Sequence, residues 1–269
     1  MSAKVRKYGI DVSEWQGANF DFSKYKDRFV IIRLMSGSRL DKQAENYIAK
    51  CEKLGIPYGF YHYSYALNED QAREEAAAFI KNAKKHAPTF GCWLDMEDAD
   101  NYKARTGARN ATKISKICQA WCTEVENAGY YTGIYSSKSW FGTHILNCDR
   151  WAKWVAAWGT NNGQLQVDTS SMGPLQQFTS KPVDQDVCYA DPGVFKGKNN
   201  APTPAGTADE LAIQVLSGAY GNGDARKAAL GSRYSEVQKR VNAYINAADE
   251  IKQIIKIGSY NKAALMGLL

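Results

Sequence analysis

The sequence predicts an α/β protein that consists of an incomplete β/α barrel and a small all-α module at its C-terminal end. The barrel is expected to have regular βα units early and mostly β-strands late. Apolar runs of strand length, such as residues 29–35, alternate with amphipathic stretches up to about residue 130, which is typical of parallel sheets. Beyond that point strand-like runs continue with only short helices between them. From residue 208 onward the pattern is helical, with three short apolar stripes.

The elements of the barrel follow in order along the chain. Strands are predicted at residues 8–12, 29–35, 56–63, 91–95, 131–135, 154–158, 175–179 and 182–186. Helices are predicted at residues 41–54, 68–85 and 112–129. Gly55 ends the first helix, and Asn68 provides the N-cap of the second. In such barrels the functional site lies at the C-terminal ends of the strands.

Acidic residues stand at the end of the fourth predicted strand, where Asp95 and Glu97 follow an apolar run. Side chains two residues apart on a strand point to the same face, so these two carboxyl groups are expected side by side, with Met96 turned away. Two neighbouring carboxyl groups can divide the work of an acid and a carboxylate, as glycoside hydrolysis requires. The alternative is that they form a solvated strand end or cap the next helix.

The composition fits a protein of two parts without a cofactor. No apolar run among the 269 residues approaches the length of a membrane span. The net charge of +6 comes without a basic run that contains interleaved aromatic residues, so neither nucleic acid nor a membrane is an expected partner. The six cysteines and three histidines have no metal-ligand spacing, so we expect buried free thiols and no metal.

Seven segments of the predicted barrel form a recognisable series in order and spacing: residues 9–13, 15–17, 58–63, 93–97, 154–158, 177–179 and 183–184. Through these segments residues 8–195 resemble the family 25 glycoside hydrolases, the lysozymes of phages and bacteria. The resemblance implies the same incomplete barrel and an N-acetylmuramidase that cleaves the β-1,4 bond between N-acetylmuramic acid and N-acetylglucosamine.

The resemblance also implies roles for individual residues. Glu97 would be the general acid and base, and Asp95 would stay ionised and steady the substrate's own 2-acetamido group during retaining, substrate-assisted hydrolysis. Asp11 and Asp184 would fix the sugar, with Asp186 as an alternative to Asp184.

The aromatic and remaining polar residues of the matching segments are assigned as follows. Tyr61 and Trp158 are predicted to contact sugar, and Gln177 to bind sugar or backbone. Trp15, Tyr63 and Trp121 are predicted core residues, and Arg33 either pairs with a site acid or ends its strand.

The chain is predicted to divide into a catalytic barrel (1–196), a linker (197–207), a three-helix repeat (208–246) and a helical tail (247–269). The residues of the repeat that carry a resemblance are 210–212, 215–218, 221–223, 226, 230–231, 234 and 237–242. In these positions it resembles the wall-binding repeat of some phage lysozymes, which binds peptidoglycan muropeptides. The residues expected to bind the wall are Tyr220, Asn222, Arg226 and Tyr234. The tail either extends the third helix or makes the protein a homo-oligomer.

These interpretations together predict an endolysin whose partner is bacterial peptidoglycan. The basic first residues lead into a strand without an apolar signal-peptide region, so we expect synthesis in the host cytoplasm and holin-mediated release. An autolysin exported by another route is the alternative. A non-catalytic wall-binding protein and a chitinase-like glycosidase are the other function classes.

Overall fold

The computed structural model describes residues 4–197, 206–218, 220, 223–230 and 233–266. The chain forms two compact units, Met1–Asn200 and Ala201–Leu269. Most of the predicted linker, residues 198–205, lies outside the described residues, and the predicted domain boundaries stay predictions.

In the described part of the first unit, nine strands form one sheet, and eight of them close into a ring. The strands are β1 (Lys7–Val12), β2 (Phe29–Ser36), β3 (Arg39–Leu40), β4 (Tyr58–Tyr63), β5 (Cys92–Asp95), β6 (Thr132–Ser137), β7 (Ala152–Ala156), β8 (Leu175–Thr179) and β9 (Gln185–Cys188). The ring order is β1-β9-β8-β7-β6-β5-β4-β2, and pairing between β1 and β2 closes it. Within the ring, neighbouring strands run parallel except β9, which is antiparallel to both β8 and β1. The short strand β3 lies outside the ring and pairs antiparallel with β2.

The long helices of the first unit all end before residue 130, as predicted. The α-helices of this unit are α1 (Ala44–Leu54), α2 (Glu69–Ala83), α3 (Tyr102–Arg105), α4 (Ala111–Asn127) and α5 (Trp140–Thr143). Between β6 and β9 the helix is the four-residue α5, so the fold class, regular βα units followed by a mostly β half, is confirmed.

Local capping explains where these helices begin and end. Asn68 accepts a hydrogen bond from the backbone of Gln71 and caps α2, and Gly55 ends α1 in the left-handed conformation at φ 68°. The predicted start of α1 at Asp41 was wrong by three residues. Asp41 instead accepts hydrogen bonds from the Arg33 guanidinium and from the backbone of Gln43, which holds it in the preceding turn.

Two apolar layers flank the barrel wall because side chains alternate along each strand. Ile32 of β2 faces the layer between sheet and helices, whereas Ile31 faces the barrel interior. The interior also holds Trp93. Its ring fits there because Gly133 has no side chain, and a Cβ at position 133 would lie only 2.4 Å from the ring. Phe195 lies in this interior layer and contacts the rings of Phe90, Trp93 and Tyr131.

The second unit is helical and has its own small core. Its helices are α6 (Ala208–Leu216), α7 (Gly223–Leu230) and α8 (Tyr234–Met266). The core residues are Leu211, Ala212, Val215, Tyr220, Leu230, Val237 and Val241. Helix α8 continues through most of the predicted tail, in agreement with an extended third helix, and oligomerisation stays a prediction. Among the helices that the structure describes, none is long and apolar enough to cross a membrane.

Candidate active site

A cavity of about 280 Å³ opens at the C-terminal ends of the parallel strands. Its lining consists of Asp11, Tyr61, Asp95, Glu97, Ala99, Tyr135, Trp154, Trp158, Gln177 and Asp184. All seven residues that the sequence singled out for the barrel site are in this set, and the structure therefore brings them together.

Strand register explains why residues so distant in sequence meet here. Asp95 is in register with Tyr63 on one side and with Tyr135 on the other, and Tyr135 is in register with Trp154. Ile10 and Val12 flank Asp11 and face the outer apolar layer, so Asp11 faces the interior. The side chains that point into the barrel are therefore acidic or aromatic at the cavity end and apolar farther from it.

Asp95 and Glu97 lie next to each other at the end of β5. The strand ends at Asp95, and Met96 between them is buried in the outer apolar layer, so both carboxyl groups line the cavity. Burial raises the pKa of Glu97, and the Lys103 ammonium opposes this rise. Burial also raises the pKa of Asp95, as does the charge of Glu97, while Lys103 and Arg33 act in the opposite direction. The pair therefore holds protons to higher pH than isolated carboxyl groups do.

Asp184 and Asp186 occupy different depths. Asp184 lines the cavity, and burial raises its pKa to about 6. Asp186 is fully buried behind the lining, where its Oδ1 accepts a hydrogen bond of 2.8 Å from Nε1 of Trp154. The predicted strand 182–186 was wrong in its start: β9 begins at Gln185. Pro182 has no N–H to donate to a neighbouring strand, so the ladder begins after it.

Gln177 connects the acidic and aromatic parts of the lining. Its Oε1 accepts hydrogen bonds of 2.9 Å from both the Tyr135 hydroxyl and Nε1 of Trp158. Its Nε2 donates a hydrogen bond of 2.8 Å to Asp11 Oδ2. The expected alternative, a bond from Gln177 to the backbone, was wrong, because these three side chains converge on its amide. The amide thereby fixes both the indole and the carboxylate.

The three aromatic residues that were predicted to lie in the core have different positions. Trp121 is fully buried in the outer layer, as predicted. Trp15 is 80% exposed, so its prediction as a core residue was wrong. It lies on a 3-10 turn in which Ser13 and Gln16 cap each other's backbone, and this turn directs the indole outward. Tyr63 is half-buried and contacts the Tyr65 ring.

Arg33 does not pair with an acid of the cavity. Its guanidinium donates to Glu14 at 2.9 Å and to Asp41 at 2.7 Å, so it ties the loop after β1 to the turn before α1. Of the two alternatives for Arg33, pairing with a site acid was wrong, because Glu14 and Asp41 bind its guanidinium. Ending the strand was also wrong, because β2 continues to Ser36.

Three residues near the acids were missed by sequence reasoning. Tyr135 and Trp154 line the cavity. Both stand at inward positions of predicted strands, so the alternation of side chains along a strand could have indicated them. Lys103 is the third. It is 1% exposed and lies on α3, and no local pattern distinguishes it from the solvated lysines of other loops.

The predicted wall-binding residues are partly structural. Tyr220 is buried in the core of the second unit, and its hydroxyl donates to Gln214 at 2.9 Å. Arg226 donates to Gln238 at 3.1 Å, and Tyr234 packs against the core. Asn222 lies outside the described residues. Wall binding by these four residues stays a prediction.

The possible metal ligands and the cysteines of the described chain can be considered together. In the part of the chain that the structure describes, no group of three or more His, Cys, Asp or Glu residues is arranged to hold a metal ion. All six cysteines are buried free thiols. The lining of the cavity presents carboxyl groups, with phenol, indole and amide groups around them.

Several solved structures resemble the first unit. The catalytic domain of the endolysin ply40 from bacteriophage P40 of Listeria monocytogenes is 30% identical, with a TM-score of 0.58 over 71% of this chain and 95% of that one. The modular autolysin LytC from Streptococcus pneumoniae, solved with a synthetic peptidoglycan ligand, is 26% identical. Its TM-score is 0.57, and the match covers 67% of this chain and 46% of that one. A family 25 glycosyl hydrolase from Bacillus anthracis is 18% identical and shares the fold. Its TM-score is 0.58, and the match covers 72% of this chain and 96% of that one.

Comparisons of sequence identify both units. A search of curated proteins found no match. The model of the CW_7 repeat matches residues 209–245 in the second unit. The model of the glycosyl hydrolases family 25 matches residues 10–187, which contain every cavity-lining residue named above. The chain belongs to glycosyl hydrolases family 25 and has a CW_7 repeat at its C-terminal end.

Proposed function

We propose that this glycoside hydrolase is an N-acetylmuramidase that cleaves the β-1,4 bond between N-acetylmuramic acid and N-acetylglucosamine in bacterial peptidoglycan. The observation that supports this most directly is the Asp95–Glu97 pair, two adjacent carboxyl groups in one cavity, both with raised pKa. The peptidoglycan ligand bound to the autolysin LytC supports the substrate class.

In the proposed mechanism Glu97 begins as the acid. Burial raises its pKa, so it holds a proton that it can donate to the glycosidic oxygen as the bond breaks. The carbonyl oxygen of the substrate's 2-acetamido group attacks the anomeric carbon, and Asp95 stabilises the positive charge that develops on the acetamido nitrogen. Glu97, now ionised, then takes a proton from the water that opens the cyclic intermediate. Two inversions at one carbon give net retention.

The other lining residues hold the sugar in place. Tyr61 and Trp158 provide aromatic surfaces for the apolar faces of the sugar rings. Asp11 and Asp184 accept hydrogen bonds from sugar hydroxyl or amide groups. Gln177 orients Trp158 and Asp11 together, so a displaced amide would affect both contacts.

Product analysis tests the reaction. Purified peptidoglycan is digested, and the newly formed reducing ends are identified by borohydride reduction and mass spectrometry. Reduced muramic acid supports the proposal, whereas reduced glucosamine would identify a glucosaminidase. Sedimentation of the protein with walls but no cleavage would identify a wall-binding protein without activity. Glu97→Gln is the matched control for contaminating hydrolases.

The second unit is proposed to hold the enzyme on the cell wall, as the match to the CW_7 repeat suggests. Co-sedimentation of Glu97→Gln protein with walls measures binding without lysis. The comparison is the Glu97→Gln protein truncated after residue 200, which retains the first compact unit. Equal binding by both proteins would contradict a role of the repeat in attachment.

A further inference from the structure

Lys103 is a buried cation beside the acids of the cavity. It lies on α3, six residues after Glu97, and is 1% exposed. Lysine is rarely buried to this extent unless a partner holds it. Asp98 fixes the backbone here, because its two carboxylate oxygens accept hydrogen bonds from the N–H groups of Lys103 at 2.7 Å and Ala104 at 3.0 Å.

The ammonium of Lys103 lies at the end of β4, next to the end of β5. Its Nζ donates a hydrogen bond to the carbonyl of Ser64, and the N–H of Ser64 donates to the Asp95 carbonyl at 3.2 Å. The rings of Tyr63 and Tyr65 each lie 5.9 Å from Nζ, and Tyr63 is in register with Asp95. These contacts hold the cation in one position and shield it from solvent.

The charges around the acid pair come from several elements. The acidic groups that act on the pair or on Lys103 are Asp11 of β1, Glu75 of α2, Asp98 and Asp100 of the loop before α3, and Asp184 of the loop before β9. Among the described residues, the cations that act most strongly on Asp95 are Lys103 and Arg33. Arg33 is already paired with Glu14 and Asp41, whereas the hydrogen bond from the Lys103 ammonium goes to a neutral carbonyl. Lys103 is therefore the cation whose field is available to the pair.

We propose that Lys103 is a positioning residue that holds the Asp95–Glu97 pair at one negative charge, so that one carboxyl group keeps a proton while the other stays ionised. This inference rests on the proposed function, which needs one acid and one carboxylate. Burial and mutual repulsion favour uptake of a second proton, and a nearby cation opposes it. Consistent with this, Lys103 lowers the pKa of both members, and burial lowers its own pKa while Glu75, Asp95 and Asp98 raise it.

Neutral substitutions at position 103 test the proposal through the pH profile of kcat/KM on soluble peptidoglycan fragments. Lys103→Met removes the charge, and Lys103→Gln removes the charge but keeps a hydrogen-bond donor for the Ser64 carbonyl. Without the cation both carboxyl groups bind protons more tightly, so the acid limb should move to higher pH by about one unit in both variants. Lys103→Arg keeps the charge and should restore the position of the limb.

A remote ion pair provides the matched control. Arg150 donates to Glu126 at 2.5 Å, and both side chains are 11% exposed. Arg150→Met should lower the melting temperature and leave both limbs of the pH profile of kcat/KM unchanged. A loss of activity in Lys103→Met and Lys103→Gln without movement of the acid limb would overturn the proposal, because a structural role predicts that result.

A measurement on the unmodified chain does not depend on how the variants fold. Carboxyl ¹³C shifts of Asp95 and Glu97, assigned by their loss in Asp95→Asn and Glu97→Gln, report protonation without substrate. At the pH of the activity assay the pair should hold one proton. Two protons, or none, would overturn the proposal. If the wild-type chain cleaves no glycan, the proposed function fails, and the shifts still decide the charge state of the pair.

Discussion

Two short segments of this chain have the same pattern of an acid, one intervening residue and a second acid, yet the fold uses them differently. In Asp95-Met96-Glu97 both carboxyl groups line the cavity. In Asp184-Gln185-Asp186 the first lines it, and the second is fully buried deeper in the barrel interior. Spacing places two side chains on one face, but it does not determine how deep each of them lies.

The direction of the strand accounts for the difference. β5 runs parallel to its neighbours and leaves the barrel at the cavity, so its second acid, Glu97, lies farther out than Asp95. β9 is antiparallel to both neighbours and enters from the cavity end, so its second acid, Asp186, lies deeper. The outer acid of each segment is therefore Glu97 in one and Asp184 in the other.

The largest effect is expected from Glu97→Gln. The amide cannot donate a proton to the leaving oxygen, so kcat should fall by about a hundredfold or more. The rate is measured on soluble peptidoglycan fragments, with circular dichroism and wall co-sedimentation as controls for folding and binding. A residual rate above about a tenth of wild type would reject Glu97 as the acid.

Asp95→Asn should be nearly as damaging, for an electrostatic reason. The variant cannot supply the negative charge that the developing cation needs, and the loss falls on kcat rather than on KM. It also relieves the repulsion that raises the pKa of the pair, so the melting temperature should not fall. An increase in KM with unchanged kcat would instead indicate that Asp95 only binds the sugar.

Asp184→Asn is expected to have a smaller effect, about tenfold on kcat/KM, because one hydrogen bond to the sugar is weakened. The charge of Asp184 raises the pKa of Glu97, so its removal should move the alkaline limb of the profile to lower pH. This direction is opposite to that expected for Lys103→Met. Since burial raises the pKa of Asp184 to about 6, the difference from wild type should be largest above that pH.

Much of the fold and of the site could be predicted from local pattern. The acids and Trp158 stand at or close to strand ends, whereas Tyr61 and Gln177 stand at inward positions within β4 and β8. The face to which each side chain points depends only on its position along its own strand. The start of α2 at its Asn68 cap is equally local. For these features the sequence around a residue contains all that its placement requires.

The features that were missed depend on partners distant in the chain. The antiparallel entry of β9 requires pairing with β1, far away in sequence, and the depth of Asp186 follows from it. Lys103 is buried because Ser64 and two tyrosines enclose it, and its own segment reads as a polar loop. Trp15 was assigned to the core by its apolarity, although the turn that holds it directs the ring to solvent.

The smallest expected effect on activity, and the one that separates the two acidic segments most clearly, comes from Asp186→Asn. Burial raises the pKa of Asp186 well above its usual value, so the folded barrel keeps this proton at pH values where the unfolded chain has lost it. The free energy of unfolding must then fall as pH rises between the unfolded and folded pKa. Asparagine does not ionise and still accepts the hydrogen bond from Trp154. The variant should therefore match wild type near pH 4 and melt about 3 °C higher near pH 8.

Thermal melts of both proteins at several pH values, followed by near-ultraviolet circular dichroism, measure this divergence. Asp184→Asn is the matched comparison, since that carboxyl group is only partly buried and should give a smaller difference that develops around its pKa of about 6. A constant offset between Asp186→Asn and wild type at all pH values would show that Asp186 does not titrate with folding. Because Asp186 lies outside the cavity lining, its variant should keep most of the activity that Asp184→Asn loses. The reverse order of activities would mean that depth does not separate the roles of the two acids.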